Sequence, residues 1–204
     1  MFFTENTKLP KKKLQIVITA TDLFQRFGFK RITIEELCLK AGVSKMTFYK
    51  YFQNKDELVK YLANELLLQA ETAMHEIDAM DIPFTTKIKK FLKLKEDAGA
   101  KLSREFIVEY MNPDTEMQLF FTQFYERATN LFIEFIQNSQ QKGEVRKDIK
   151  PEFLIAAINK LIDLAKDETL IDLYPRAMDF TLEINKFMCF GILPIETPVM
   201  ENAE

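Results

Sequence analysis

The chain has 204 residues, of which 47% are hydrophobic and 29% are charged, and a formal net charge of -3 at pH 7. This composition excludes a mainly disordered chain, and the length is enough for one large domain or two small ones with a buried core. Five Gly and seven Pro supply too few turns for a many-stranded β protein, so the sequence predicts an all-α fold.

The small net charge hides an uneven distribution along the chain. Residues 1–60 carry twelve Lys and Arg against six Asp and Glu, a balance of +6, whereas the remaining residues have a balance of -9. A basic end on an acidic body indicates that one end meets a polyanion. Chance variation in surface charge would give the same pattern, so composition leaves this point open.

The basic end begins with two predicted helices. Apolar residues at helical spacing predict a first helix over about residues 10–27, which Gly28 ends in a left-handed conformation. Thr33 then opens the sequence TIEE, where Glu36 completes a capping box for the second helix.

A third helix follows after a tight turn. The second helix stops near Gly42, and Ser44 caps the next helix, SKMTFYKYF. Two short helices joined by a turn that contains Gly are the helix-turn-helix arrangement. Asn54 caps a fourth helix in the same way as Ser44 caps the third.

The third helix presents polar side chains suited to nucleic acid. Val43, Phe48 and Phe52 are the expected core anchors. The outward-facing set is then Lys45, Met46, Thr47, Tyr49 and Lys50. Lysine and threonine can bond base edges in the major groove, and a methionine can touch a thymine methyl. The set suited to phosphates is Tyr49, Tyr51, Lys55 and the free N–H groups at the helix starts near Thr33 and Lys55.

The segment TIEELCLKAGVSKMTFYKYFQNKDEL, residues 33–58, resembles the DNA-binding region of the tetracycline-repressor (TetR) family. The matching features are the capping Thr, the AGVS turn, the aromatic pair in FYKYF and the NKDEL start of the fourth helix. The resemblance covers about the first sixty residues, and Cys38 replaces an alanine that is usual in the family. It implies DNA contacts from Thr33, Ser44, Lys45, Thr47, Tyr49, Lys50 and Lys55, with Met46 at a variable position.

The acidic body is predicted to be a helical bundle, which divides the chain into a DNA-binding domain (1–54) and an effector-binding and dimerisation domain (55–204). A helix from Lys55 runs past residue 74, with Leu58, Leu62, Leu66 and Ala70 on one stripe, and another starts after Pro83. Asn112 and Pro113 are expected to start a long aromatic helix that Gly143 ends. Two more helices are predicted over residues 151–164 and 175–190.

The last two long helices are the expected dimer interface. The family resemblance implies that helices spanning about 152–166 and 176–191 pack against their copies in a second subunit. Both are apolar on more than one face, although these faces could also pack within one subunit. A dimer is favoured because two helix-turn-helix units on a two-fold axis read half-sites about 34–36 Å apart.

Nineteen Phe and nine Met could line an adaptable pocket for an apolar or amphipathic small molecule. The candidate cluster is Phe106, Tyr110, Phe120, Phe121, Phe124 and Tyr125, and ordinary core packing is the alternative for each. Asn159 and Asp163, one turn apart, are candidate polar anchors of that pocket; the interface or solvent are equal alternatives.

Catalytic signatures are not evident. His75 is the only histidine, so neither a catalytic triad nor a di-iron site is supported, and its distance in sequence from Cys38 and Cys189 fits no zinc motif. We therefore expect no enzyme activity, no cofactor and no metal. Two cysteines indicate the reducing cytoplasm, and no apolar run reaches the roughly eighteen residues that span a bilayer.

The sequence thus predicts a cytoplasmic homodimeric regulator that binds double-stranded DNA, most simply a ligand-responsive repressor of a palindromic operator. One alternative is a helix-turn-helix regulator or activator without an effector. Another is a helical small-molecule-binding protein or enzyme whose basic end is incidental. Effector, operator and sign of regulation are not encoded in any motif.

Overall fold

The computed structural model describes residues 9–191, with side chains as far as Cys189. Every regular element in this range is an α-helix, in agreement with the predicted fold class. The helices are α1 Lys11–Phe27, α2 Ile34–Ala41, α3 Lys45–Tyr51, α4 Lys55–Ala79, α5 Phe84–Gly99, α6 Arg104–Met111, α7 Thr115–Gln141, α8 Pro151–Leu164, α9 Glu168–Ile171 and α10 Ala177–Gly191.

The predicted caps of α2, α3 and α4 are present. Thr33 Oγ1 accepts from the Glu36 N–H at 3.1 Å, and Ser44 Oγ accepts from the Thr47 N–H at 3.1 Å. Asn54 Oδ1 accepts in the same way from the first turn of α4, at 2.8 Å. Each side chain satisfies a backbone donor that the helix itself leaves unpaired, which fixes where the helix begins.

The start of α7 differs from the prediction. Asp114, not Asn112, is the N-cap, and its Oδ1 accepts from the Met117 N–H at 3.1 Å. Asn112 instead ends the short helix α6, and its side-chain amide donates to the Lys166 carbonyl at 3.2 Å. The prediction was wrong because both residues can cap a helix and the sequence pattern did not show the end of α6.

The core is continuous from the basic end into the acidic body. Buried residues of α1 and α3, such as Phe24 and Phe48, form one cluster with Met117 and Phe121 of α7. A boundary at residues 54 and 55 stays a prediction, since this packing crosses it. None of the helices in residues 9–191 combines the length and apolar content needed to cross a bilayer.

Candidate nucleic-acid interface and effector cavity

Helix α3 turns four of the five side chains that were predicted to face outward toward solvent, and Thr47 is the exception. Phe48 is fully buried, and Met46 and Tyr49 are 81% and 53% exposed. Lys45 and Lys50 are exposed, while Thr47 is half-buried. The helix therefore offers cations, hydroxyls and a methionine to a groove while its aromatic face packs on the core.

Lys45 already has an anionic partner within the helix-turn-helix. Its Nζ forms an ion pair with Glu35 Oε1 of α2. Hydrogen bonding between the two groups raises the pKa of Lys45 and lowers the pKa of Glu35. Because both side chains are exposed, the ammonium group must leave or share this carboxylate in order to contact a base.

Lys55 is also engaged within the domain. Its Nζ donates to the carbonyls of Lys30 (2.8 Å) and Ile32 (3.0 Å), and burial lowers the pKa of the amine. This side chain therefore fixes the segment between α1 and α2 to the start of α4. Tyr51 is half-buried and packs on the core, so it offers less free surface than Tyr49.

A cavity of about 260 Å³ lies between the basic end and the acidic body. Residues of α1, α4, α5, α6, α7 and α10 line it, and most of them are apolar. Four of the six candidate aromatic residues are among them, namely Phe106, Tyr110, Phe121 and Phe124. The size and apolar lining suit a small, mostly apolar molecule.

Helix α6 joins this cavity to the basic end of the chain. Phe106 and Tyr110 face the cavity, and Glu109 of the same helix accepts from the N–H groups of Phe29 (2.5 Å) and Lys30 (2.9 Å). The helix start is tied in as well, since the Ser103 N–H donates to the Gln25 carbonyl of α1 at 2.8 Å. A displacement of α6 would therefore affect both α1 and the segment that follows it.

Residues 16–62 match the family model described as bacterial regulatory proteins of the tetR family. This segment belongs to the TetR family. A relative in Bacillus subtilis (strain 168), named as an uncharacterized HTH-type transcriptional regulator YhgD, is 32% identical over 84 residues, which are 41% of this chain and 44% of that protein. The chain thus spans less than half the length of this curated relative.

Two solved structures resemble the whole fold of this chain. The fatty acid degradation regulator FadR from Bacillus halodurans is 19% identical, with a TM-score of 0.69 over 91% of this chain and 98% of that chain. The FadR of Bacillus subtilis in complex with stearoyl-CoA is also 19% identical, with a TM-score of 0.65 over 88% and 99%. At these identities the likeness shows the fold, including the helical body behind the TetR-family domain.

Two of the aromatic candidates and both polar candidates lie elsewhere. The Tyr125 hydroxyl donates to the Tyr110 carbonyl at 2.8 Å. Tyr125 therefore contacts a residue that lines the cavity but does not line it itself. Phe120 packs against Phe121 with ring centroids 5.3 Å apart. Consecutive aromatic residues on α7 point in different directions, so only part of the predicted cluster reaches the cavity.

Asn159 and Asp163 do not reach this cavity, so the prediction that they anchor a ligand there is wrong. Both are exposed on α8, which contributes no lining residue, and Asp163 Oδ1 pairs with Lys166 Nζ at 3.0 Å. The subunit interface and solvent remain as their alternatives. His75 is exposed on α4, and within residues 9–191 no group of three or more His, Cys, Asp and Glu side chains could hold a metal ion.

Lys95, which lines the cavity from α5, was not among the residues predicted from the sequence. It lies in a lysine-rich stretch where most charges face solvent, so no local pattern distinguishes it. Leu62 and Leu66 of α4 were expected on a buried stripe, but they are half-buried because they face the cavity.

Proposed function

We propose that the protein is a transcriptional regulator that binds a palindromic operator as a homodimer and releases it when a small apolar or amphipathic molecule occupies the cavity. The observation that carries this proposal is the cavity between the TetR-family domain and the helical body. A site there touches α1, which supports the helix-turn-helix, and also α6 and α4. A regulator without an effector has no need of such a space.

The DNA-binding part rests on the surface of α3 and on the charge of the basic end. Lys45 and Tyr49 are exposed on the side of α3 that faces away from the core, and Thr47 is half-buried beside Ser44 at the start of the helix. Lys50 adds an exposed cation at the end of the same helix, and Ser44 and Thr33 lie at the starts of α3 and α2. In this proposal Thr47 and Lys45 read bases, and Tyr49, Lys50 and Lys55 hold phosphates.

The homodimer is proposed to form through α8 and α10. Phe153 and Leu164 of α8 are 65% and 42% exposed, and an eleven-residue separation places them on one face of that helix. Phe187 of α10 is 74% exposed. Large apolar side chains exposed on both helices are what a four-helix interface would cover.

The effector response is proposed to travel through α6. A molecule that pushes on Tyr110 moves its neighbour Glu109, which is bonded to the segment between α1 and α2. To change the DNA-competent fraction from 99% to 1%, the effector must prefer the non-binding state by about 10⁴-fold, near 5.5 kcal/mol. An apolar site lined by residues of six helices is able to provide a preference of that size.

Selection from random oligonucleotides by the full chain tests this proposal. We expect an inverted repeat whose half-sites lie about one helical turn apart, with a logarithmic salt dependence of about -0.9 per phosphate neutralised. Failure to retain any specific duplex at moderate salt would contradict the DNA-binding function. Selection of a site without two-fold symmetry would contradict the homodimer alone.

The alternative regulator without an effector makes a different prediction for the same operator. Filling the cavity with a larger side chain, for example Ala63→Phe, should then leave operator affinity and every response unchanged. In the ligand-responsive case it changes operator affinity or removes the response. Membership of the TetR family points to regulation rather than to catalysis.

A further inference from the structure

Lys95 places a cation in the wall of an apolar cavity. The acidic residues that follow it, Glu96 and Asp97, both pair with Lys93, at 3.5 and 2.8 Å. Within residues 9–191 no carboxylate forms an ion pair with Lys95. Most of the other lining residues are Phe, Leu, Ile, Val, Ala and Met, and the few polar ones, such as Thr21 and Gln25, are uncharged.

The neighbours of Lys95 stabilise its charge only in part. Its Nζ lies 5.2 Å from the centroid of the Phe91 ring, so this aromatic ring is one neighbour of the ammonium group at the edge of the cavity. Burial raises the pKa of the Cys189 thiol to about 11, so this group is neutral at pH 7 and supplies no countercharge. Burial also lowers the pKa of Lys95, as expected when a charge loses water without gaining an anion.

We propose that the cavity takes a small monocarboxylate whose anionic group binds Lys95 and whose apolar part fills the space among the aromatic side chains of α6 and α7. This inference rests on the proposed role of the cavity as an effector site and names the chemical class of the effector. An incoming carboxylate supplies the anion that the surrounding side chains do not provide at Lys95. A neutral ligand of the same shape leaves the ammonium group desolvated and unpaired, which costs affinity.

The volume of the cavity sets the size of the ligand. An apolar protein cavity of roughly 150 Å³ accommodates benzene, with its six carbon atoms. In proportion, 260 Å³ has room for about ten non-hydrogen atoms. Octanoate has this size.

The experiment compares octanoate with 1-octanol, which has the same chain and no charge. Binding to the full chain in the absence of DNA is measured by isothermal titration calorimetry at pH 7. We expect octanoate to bind at least about tenfold more tightly than 1-octanol, because only octanoate pairs with the ammonium group. Lys95→Met keeps the length of the side chain but removes the charge, and we expect it to abolish this preference while 1-octanol still binds.

Lys90→Met is the matched control, because Lys90 is an exposed lysine of the same helix and lies outside the cavity. It should preserve the preference for octanoate. Equal affinity for the two ligands, a preference that survives in Lys95→Met, or no binding of either ligand by the wild-type chain overturns the inference.

Failure of this inference is separable from failure of the proposed function. The titrations contain no DNA, and operator selection contains no ligand. If the chain selects an operator but does not distinguish octanoate from octanol, the regulator stands and the ligand class is wrong. If octanoate binds through Lys95 but does not change operator affinity, the ligand class stands and the regulatory role of the cavity is wrong.

Discussion

The carboxylate of Glu109 lies against Gly28 so closely that a Cβ at position 28 would be 2.6 Å from Glu109 Oε1. Gly28 has φ 75° and ψ 166°, a conformation that residues with a side chain strongly disfavour. The glycine thus both ends α1 and leaves space for the acidic side chain that binds the next two backbone N–H groups. One missing methyl group permits the contact between the cavity-lining helix α6 and the DNA-binding end.

Gly28→Ala should therefore be more harmful than an alanine at another helix end. We expect the free energy of unfolding to fall by about 2–5 kcal/mol, because backbone strain is added to the displacement of Glu109 from its two donors. Gly42→Ala is the matched control, since Gly42 has φ 63° but no neighbouring atom within 4 Å of the place that a methyl group would occupy. Its expected cost is about 1–2 kcal/mol. Urea unfolding checks both values, and equal costs would contradict the role given to Glu109.

Glu109→Ala tests the contact from the other side. It leaves the N–H group of the buried residue Phe29 without its acceptor, so we expect a loss of about 1–3 kcal/mol in unfolding free energy. Amide hydrogen exchange at Phe29 and Lys30 should also become faster. Glu105→Ala changes the same residue type on an exposed position of α6 and should have little effect on either measurement. Similar effects from the two substitutions would show that the contact contributes nothing specific.

Removal of the Glu35 carboxylate should strengthen operator binding. Glu35→Gln releases Lys45 from its ion pair and removes a negative charge close to the DNA-facing side of α3. We expect operator affinity to rise about two- to fivefold at low salt, with a smaller gain at high salt because exposed charges are screened. Glu126→Gln makes the same charge change on an exposed position of α7 and serves as the control. Unchanged or weaker binding by Glu35→Gln, measured by fluorescence anisotropy, would contradict a DNA contact from Lys45.

The helix-turn-helix could be predicted from the sequence because its signals are local. Thr33, Ser44 and Asn54 each accept a hydrogen bond from the backbone N–H group three residues later. The start of each helix is therefore decided by a few consecutive residues. The fully buried Phe48 and the outward Tyr49 follow in the same way from helical periodicity. Caps and periodicity thus predict the helix-turn-helix, and the resemblance to the TetR family adds the prediction that it binds DNA.

The cavity could be predicted only in part because it is made by distant segments. Phe120, Phe121 and Phe124 were all predicted to line a pocket because they are aromatic. Phe121 and Phe124 do line the cavity and Phe120 does not, because each ring faces a different neighbouring part of the fold. Lys95 gains its distinctive environment from Phe91 on its own helix and from Cys189, ninety-four residues later. Glu96 and Asp97 form ion pairs with Lys93 and not with Lys95 because of the directions in which the side chains point. Residue type alone does not specify these directions.

Phe187→Glu should weaken or abolish the homodimer. A charge at a residue that is 74% exposed in one subunit costs little there, but burial of that charge between subunits is strongly unfavourable. We expect the dissociation constant of the dimer to rise by at least about tenfold, as is usual for the loss of a large interface residue. Leu119→Glu is the control, since Leu119 is 69% exposed on α7, away from the proposed interface. Sedimentation equilibrium that shows the same assembly state for both variants and the wild type would exclude α10 from the interface.

The lowered pKa of Lys95 predicts how the stability difference between wild type and Lys95→Met depends on pH. The ordinary pKa of lysine is 10.5, so between the lowered folded value and 10.5 the unfolded chain binds more protons than the folded chain. Wild-type stability must then rise with pH through this window, by at most about 1.4 kcal/mol per pH unit for one proton. Lys95→Met has no such titration, so we expect it to be the more stable protein at pH 7 and its advantage to shrink as the pH rises through this window toward 10.5. The Cys189 thiol is the titratable group that interacts with Lys95, and it stays protonated in the folded state of both proteins over this range. Other titrating groups are common to the two proteins and cancel in the difference. Urea unfolding at pH values from 7 to 10 measures this stability difference, and an advantage of Lys95→Met that stays constant or grows over the whole range contradicts a desolvated ammonium group at this position.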